Sequence, residues 1–420
     1  MNDDRLPGAT LALNDLISLL RVNITNRLKQ DFVGKDQVID LMLISTIARE
    51  HLLLVGPPGT AKSELVKRFV LLLGARKHSG DLFEYLLTRF TEPNELFGPV
   101  NIKAFQQGTF TRNIERALPQ ARIAFLDEVF KANSAILNAL LTILNERFFF
   151  NGLEQISVPL ISIFGATNEV PESSELAALY DRFLLRVRTD NVDDRQFRAL
   201  LHAGWSMECE RIRLGRNEEV MPVLDSLDQL QPVYDALEQV DLTPIYDDYR
   251  ELVRQIRAEG ITLSDRRVIK LLKLIAAAAL LRGEQSASAA DFWILLHIWN
   301  QPQQVAPLQA LVGPVVERAG GQAIQAERNL DELADDLAGL EQRVQTRQIH
   351  IAYTATYYSA LLHDLELSRQ ELLNHSAAQH NVHHSTSYDP TIGKRWKQLL
   401  DQTEHLIDQV LDQLEAEERI

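Results

Sequence analysis

The spacing of apolar positions changes along this chain of 420 residues. Residues 11–30, LALNDLISLLRVNITNRLKQ, carry them three and four apart, which predicts an amphipathic helix; VGKDQVIDLMLISTIAR from Val33 predicts another after a glycine break. HLLLVG (51–56), RIAFLDE (122–128) and LISIFGATN (160–168) are instead short, nearly unbroken apolar runs, as expected of parallel strands covered on both faces. SELVKRFVLLLG and SAILNALLTILNER read as helices between them, so strand and helix alternate as in a doubly wound α/β domain. From about Asp190 the strand-like runs stop, and YDDYRELVRQIRAE and DRRVIKLLKLIAAAALLRG predict a smaller all-helical domain.

Beyond QPQQVAPLQ, Leu330, Leu333, Leu337, Leu340 and Val344 repeat as a heptad seam that continues less regularly through Ile351, Tyr358 and Leu365. Polar residues with Pro390 and Gly393 break it, and a second helix bearing Leu400, Ile407, Val410 and Leu414 completes an expected antiparallel, coiled-coil-like hairpin. The division read from these patterns is an N-terminal helix (1–30), an α/β core (31–190), a helical domain (191–305) and a C-terminal hairpin (306–420).

Composition narrows the function. The formal charge is −15, and residues 321–420 hold 17 acidic against 8 basic residues, so phosphate backbones are disfavoured partners. No apolar run reaches the roughly 20 residues of a membrane span. The acidic start MNDDRLPGAT is unlike a secretory leader, and one cysteine, Cys209, fits a reducing compartment; a cytoplasmic location is expected. His375, His380, His383 and His384 cluster near the hairpin tip, where a polar loop is a simpler account than a metal site.

The chemistry concentrates at three strand ends. Gly56, Pro57, Pro58, Gly59, Thr60, Ala61, Lys62 and Ser63 lie between a strand and a helix, the setting in which backbone N–H groups cradle phosphates while the lysine reaches the β and γ groups and the serine meets Mg2+. Ala61 stands where this loop ordinarily has glycine; alanine is expected to cost nothing provided that it enters the helix with negative φ. Asp127 and Glu128 close the second strand, one carboxylate near Mg2+ and the next able to polarise water. Ala166, Thr167, Asn168 and Glu169 close the third, offering a polar group to the γ-phosphate or the water.

In this order, and with TRFTEPNELFGP, FLDEVFKANSAILNALLTILNER and ALYDRFLLR, the chain resembles AAA+ ATPases of the MoxR branch, specifically RavA-like members, over roughly residues 10–300. The resemblance implies a P-loop core with a parallel sheet, an all-α lid, and a ring, usually hexameric, holding ATP between subunits. It makes Lys62 and Ser63 the Walker A pair, Asp127 and Glu128 the Walker B pair, and Asn168 sensor 1. Arg182 takes the arginine-finger position, with Arg186 and Arg188 as alternatives and a salt bridge to Asp181 or Asp190 as the plain structural account. Arg266 takes sensor 2, with Arg267 as competitor and Ser264 as helix cap, and Val33 and Gly34 lie where backbone touches adenine.

Two insertions, a hairpin-like NIKAFQQGTFTRN after Phe97, Gly98 and Pro99, and FFFNGLEQISVP with two strands about an Asn-Gly turn, match elements that remodel partners in such proteins. The implied activity is chaperone-like work on a protein client, with a von Willebrand factor A domain protein as a suggested partner. The alternatives are a nucleotide-gated scaffold recruiting partners through the hairpin and, disfavoured by acidity, a nucleic-acid motor.

Overall fold

The three unbroken apolar runs become neighbouring strands. A computed structural model describes residues 13–75, 80–171, 174–192, 196–214, 221–320 and 397–407. Its main sheet joins β1 (Leu52–Val55), β2 (Leu82–Leu86), β3 (Ile123–Asp127), β6 (Ser162–Thr167) and β7 (Leu185–Arg188) in the order β2-β3-β6-β1-β7, every pair parallel. Every residue of β1 and β6 is buried, which is why these strands read as continuous rather than alternating.

The helices that carry the chain around this sheet are α1 (Leu13–Leu19), α2 (Arg27–Asp31), α3 (Asp36–Ile47), α4 (Lys62–Leu72), α5 (Pro93–Phe97), α6 (Ile102–Gln106), α7 (Ser134–Glu146) and α8 (Ser174–Tyr180). A π-helical stretch, Leu20–Asn26, joins α1 to α2, and Leu16, Leu20, Ile24 and Leu28 bury the stripe that the first sequence pattern predicts. His51, at the head of β1, is fully enclosed; its Nδ1 accepts the Ile163 N–H at 3.0 Å. Burial holds its pKa well below the usual histidine value.

The two insertions differ from expectation in detail. Residues 101–113 form no two-stranded hairpin: a single antiparallel bridge, Val100 to Arg112, closes a loop whose tip is the short helix α6. The Asn101 side chain accepts from the N–H groups of Lys103 (3.1 Å) and Ala104 (3.2 Å), so it caps a helix where the apolar pattern suggested strand. The second insertion does make two strands, β4 (Phe148–Asn151) and β5 (Glu154–Ser157), but Asn151 pairs with Glu154 and the turn is Gly152-Leu153. Asn151 is occupied elsewhere. Its amide accepts the Arg112 N–H at 2.6 Å and donates to the Arg112 carbonyl at 3.1 Å, joining one insertion to the other. Gly152 (φ +71°) permits this approach, since a Cβ there would lie 2.0 Å from the Phe110 carbonyl.

After β7 come α9 (Phe197–Leu214), α10 (Gln231–Leu237), α11 (Tyr246–Ala258), α12 (Asp265–Arg282), a long 3-10 segment (Ala289–His297) and α13 (Val305–Arg318). The Ser264 hydroxyl caps α12 by accepting from Arg267 N, as expected, and Gly283 at φ +92° ends it. α13 buries Leu308, Val312 and Val316 and packs on Ala289–His297, so the chain does not pass into its tail at 305/306. It divides into Met1–Ile324 and Gln325–Ile420 instead.

In the second unit, residues 397–407 are helical and bury Leu399, Thr403 and Leu406, four and three apart, one position ahead of the expected Leu400 and Ile407. The seam from Leu330 to Leu365 and the histidine-rich tip lie outside the described residues. No described helix is long and apolar enough to cross a membrane.

Candidate nucleotide site

Parallel neighbours end at the same side of a sheet, so the order β3-β6-β1 brings three sequence-distant strand ends together there. Gly56 leaves β1 with its N–H on the Thr167 carbonyl at 3.0 Å, wedged beside the end of β7: a Cβ on it would meet the Thr189 carbonyl at 2.4 Å. Pro57, Pro58 and Gly59 form an exposed crest, while Thr60 turns inward and donates to the Pro57 carbonyl at 3.1 Å. Gly59 has φ +86°.

Ala61 does not enter the helix with negative φ. It is the residue before α4, at φ +59° and ψ +20°, in the left-handed region where a β-carbon costs about 1–2 kcal/mol. The loop must reverse there for the amides at the start of α4 to face the cradle, and alanine accepts the strain that glycine would avoid.

Lys62 is buried, and its ammonium donates to the carbonyls of Gly56 at 2.7 Å and Pro57 at 2.8 Å. Burial lowers its pKa, opposed by the charges of Asp127 and Glu128, so both carboxylates face the loop closely enough to act on it. Asp127 is the last residue of β3, and its Oδ1 accepts the Glu128 N–H at 3.0 Å. Glu128 is itself left-handed, at φ +52°, strain of the kind that concentrates at functional positions. Its Oε1 accepts from Asn168 Nδ2 at 2.7 Å and Lys131 Nζ at 2.9 Å. Gly56, Lys62, Ser63, Asp127, Glu128 and Asn168 therefore converge on one end of the sheet.

Val33 and Gly34 adjoin that end. A Cβ on Gly34 (φ +71°) would lie 2.9 Å from Gln196 Oε1, and the next residue, buried Lys35, donates to the Asp190 carbonyl at 2.5 Å.

The arginines separate into two groups. Arg188 is level with Val55 and so lies at the cradle end, paired with Asp190 at 3.1 Å. Arg182 precedes β7, whose first residue, Leu185, is level with Leu52; a strand length, about 10 Å, therefore separates its level from the cradle. It is one-quarter exposed and lies 3.6 Å from Asp181. Arg266 is exposed in the first turn of α12, and that turn is at the far end as well. Its neighbour Arg267 reaches the Leu184 carbonyl at 3.5 Å, and Lys270 and Lys273 meet buried Glu50, just ahead of β1, at 2.9 and 3.6 Å.

Arg186 and Arg267, the rivals for finger and sensor, are both buried and bonded to backbone carbonyls, which takes Arg186 out of contention for reaching another molecule. Sequence reasoning missed what they bind, Asn300; the doublet Arg266-Arg267 was the available signal, since two adjacent helix residues face different ways.

A five-stranded parallel sheet with a phosphate loop after β1, acids after β3, a polar residue after β6 and a helical lid defines an AAA+ ATPase. Residues 19–231 match the family described as the MoxR domain in the MoxR-vWA-beta-propeller ternary systems, and 244–312 match an AAA lid domain. The chain belongs to the MoxR family.

Among its relatives, the uncharacterized protein MJ0812 of Methanocaldococcus jannaschii is 39% identical over 318 residues, covering 75% of this chain and 80% of the relative. Chaperone MoxR1 of Mycobacterium tuberculosis is 25% identical over 178 residues, 41% of this chain and 45% of that one. A solved structure from Cytophaga hutchinsonii, provisionally assigned as an ATPase, superposes with a TM-score of 0.57 at 17% identity, over 73% of this chain and 96% of that chain, a likeness of fold.

Proposed function

We propose that this chain hydrolyses ATP at the seams of a homo-oligomeric ring, usually hexameric in such proteins, and spends the resulting motion on a protein client. The observation that carries the reading is the separation of the arginines. Lys62, Glu128 and Asn168 gather at one end of the sheet, whereas Arg182 and Arg266 lie at the other, so one chain alone is an incomplete site that a neighbour's arginines complete.

In this reading the amides of residues 56–63 and Lys62 hold the phosphates, exchanging the lysine's present carbonyl partners for phosphate oxygens. Glu128, oriented by the Asn168 amide, takes the proton of the attacking water. Arg182 and Arg266 neutralise charge developing on the neighbour's γ-phosphate. The Ser63 hydroxyl and Asp127 carboxylate are hard oxygen donors that would hold Mg2+, which would supply further neutralisation of the phosphates' charge. Val33 and Gly34 receive adenine through backbone groups.

The client side is supported by the insertions, where Ile102, Phe105, Phe110, Phe150 and Leu153 are exposed in a protein of net charge −15. Residues 101–113 hold Lys103 and Arg112 and residues 148–157 hold Glu154, so the surface is nearly neutral and suits an apolar polypeptide segment. The matched family description names vWA-containing systems, which supports a von Willebrand factor A domain protein as partner. The RavA-like assignment rests on the motifs between Thr88 and Arg186.

Mixing tests the reading. Lys62→Ala and Arg182→Ala are each expected to lose turnover, and equal mixtures to regain part of it, because an intact pocket then meets an intact arginine across a seam. Mixtures as inactive as their components contradict the shared site.

A further inference from the structure

Arg186 and Arg267 are left without a task by the nucleotide reading, yet both are guanidinium groups removed from water, 0% and 3% exposed. Among the described residues no carboxylate pairs closely with either: Asp181, nearly half exposed, is 4.0 Å from Arg267. Burial holds the Arg186 pKa down to about 9, and the charge of Arg267 adds to the effect. Two like charges buried side by side cost several kcal/mol each in desolvation, and apolar residues of similar volume would ordinarily serve stability better.

The groups that hold them define what they join. Arg186 donates to the carbonyls of Trp299 (2.8 Å), Tyr180 (3.0 Å) and Ile298 (3.3 Å), with its guanidinium 4.0 Å over the Tyr180 ring. Arg267 donates to the Ile298 carbonyl at 2.5 Å. Both converge on Asn300 Oδ1, from 3.1 and 2.7 Å. The Asn300 carbonyl accepts from the Tyr180 hydroxyl at 2.9 Å, and its N–H donates to Gln304 at 2.7 Å. Tyr180 and Arg186 bracket the turn that bears Arg182, and Arg267 adjoins Arg266. One asparagine thus links the two segments that present arginines.

We propose that Asn300 is a positioning residue: with Arg186 and Arg267 it fixes the turn of Arg182 and the first turn of α12 as one body, so that Arg182 and Arg266 engage a neighbour's nucleotide together. The inference rests on the shared-site reading above. Fixed spacing matters because a misplacement of about 1 Å at a reacting centre can cost on the order of 100-fold in rate.

The test compares Asn300→Leu, which removes the shared acceptor, with Asn300→Asp, which keeps it and adds compensating charge. Asn300→Leu is expected to lose roughly 100-fold in kcat with KM for ATP nearly unchanged, because the pocket belongs to the same chain's other end. Asn300→Asp is expected to keep most of the turnover. Asn300→Leu mixed with Lys62→Ala should recover activity, since its sound pockets then meet sound arginines.

Should Asn300→Leu fail to fold, Arg186→Met with Arg267→Met removes both buried charges together and carries the same expectations. Wild-type kcat in these variants, a loss confined to KM, or no recovery where the Arg182→Ala and Lys62→Ala mixture does recover would overturn the role of Asn300. Failure of that control mixture removes the shared site itself, and this role with it.

Discussion

Replacing Ala61 by glycine should stabilise the protein, against the usual expectation for a glycine placed next to a helix. Ala61 is exposed and at φ +59°, so its methyl gains no packing while the backbone bears about 1–2 kcal/mol of left-handed strain. Glycine relieves that strain but adds unfolded-chain entropy worth about 0.4–1 kcal/mol. As residue before the helix, glycine is also preferred to alanine. The net gain is about 0.5–1 kcal/mol, a rise of roughly 1 °C in Tm for the unit Met1–Ile324.

Nucleotide-free thermal unfolding followed by circular dichroism measures it directly, without stabilisation by bound ligand. Gly59→Ala is the matched control: its φ is +86°, a Cβ there meets nothing within 4 Å, and the same mechanism predicts a lower Tm. A lower Tm for Ala61→Gly, or no drop for Gly59→Ala, would refute the reasoning from backbone strain.

Glu128→Gln should keep nucleotide binding, since the glutamine carbonyl can still accept from Asn168, while turnover falls about 100-fold or more; a fluorescent ADP titration beside phosphate release checks both. Gly56→Ala should abolish nucleotide binding and cost about 1–3 kcal/mol, because the Thr189 carbonyl 2.4 Å away is backbone and has nowhere to go; calorimetry reports both. His297 is buried with its pKa depressed by desolvation to about 4, so the fold favours its neutral form. That contribution is full above about pH 6.5 and is lost as pH falls from there towards 4; His297→Phe should flatten this part of the Tm–pH curve.

What the sequence disclosed follows from the range of the forces involved. The runs 51–56, 122–128 and 160–168 were legible as strands because burial on both faces leaves no polar alternation, and their ends carried Lys62, Asp127, Glu128 and Asn168 to one place by sheet topology. The conformation of Ala61 was not legible, since a left-handed residue is recognisable in sequence mainly when it is glycine. Residues 101–113 hid α6 because its stability comes from one asparagine cap rather than from periodicity. The Arg186–Asn300–Arg267 junction spans 114 residues of chain and joins one side-chain amide to backbone carbonyls, which every residue has, so beyond the doublet Arg266-Arg267 the sequence carries no trace of it. The 305/306 boundary failed for a simpler reason: α13 has an apolar stripe of its own, and that stripe belongs to the helices before it.

The amide of Asn151, by clasping the Arg112 backbone, removes the independence of two segments that lie almost forty positions apart in the chain. Transplanting either segment singly from a relative into this scaffold breaks the clasp unless the recipient's counterpart travels with it. Swaps intended to test the proposed client surface should therefore exchange 101–113 and 148–157 as a pair, and evolution by piecemeal recombination meets the same restriction.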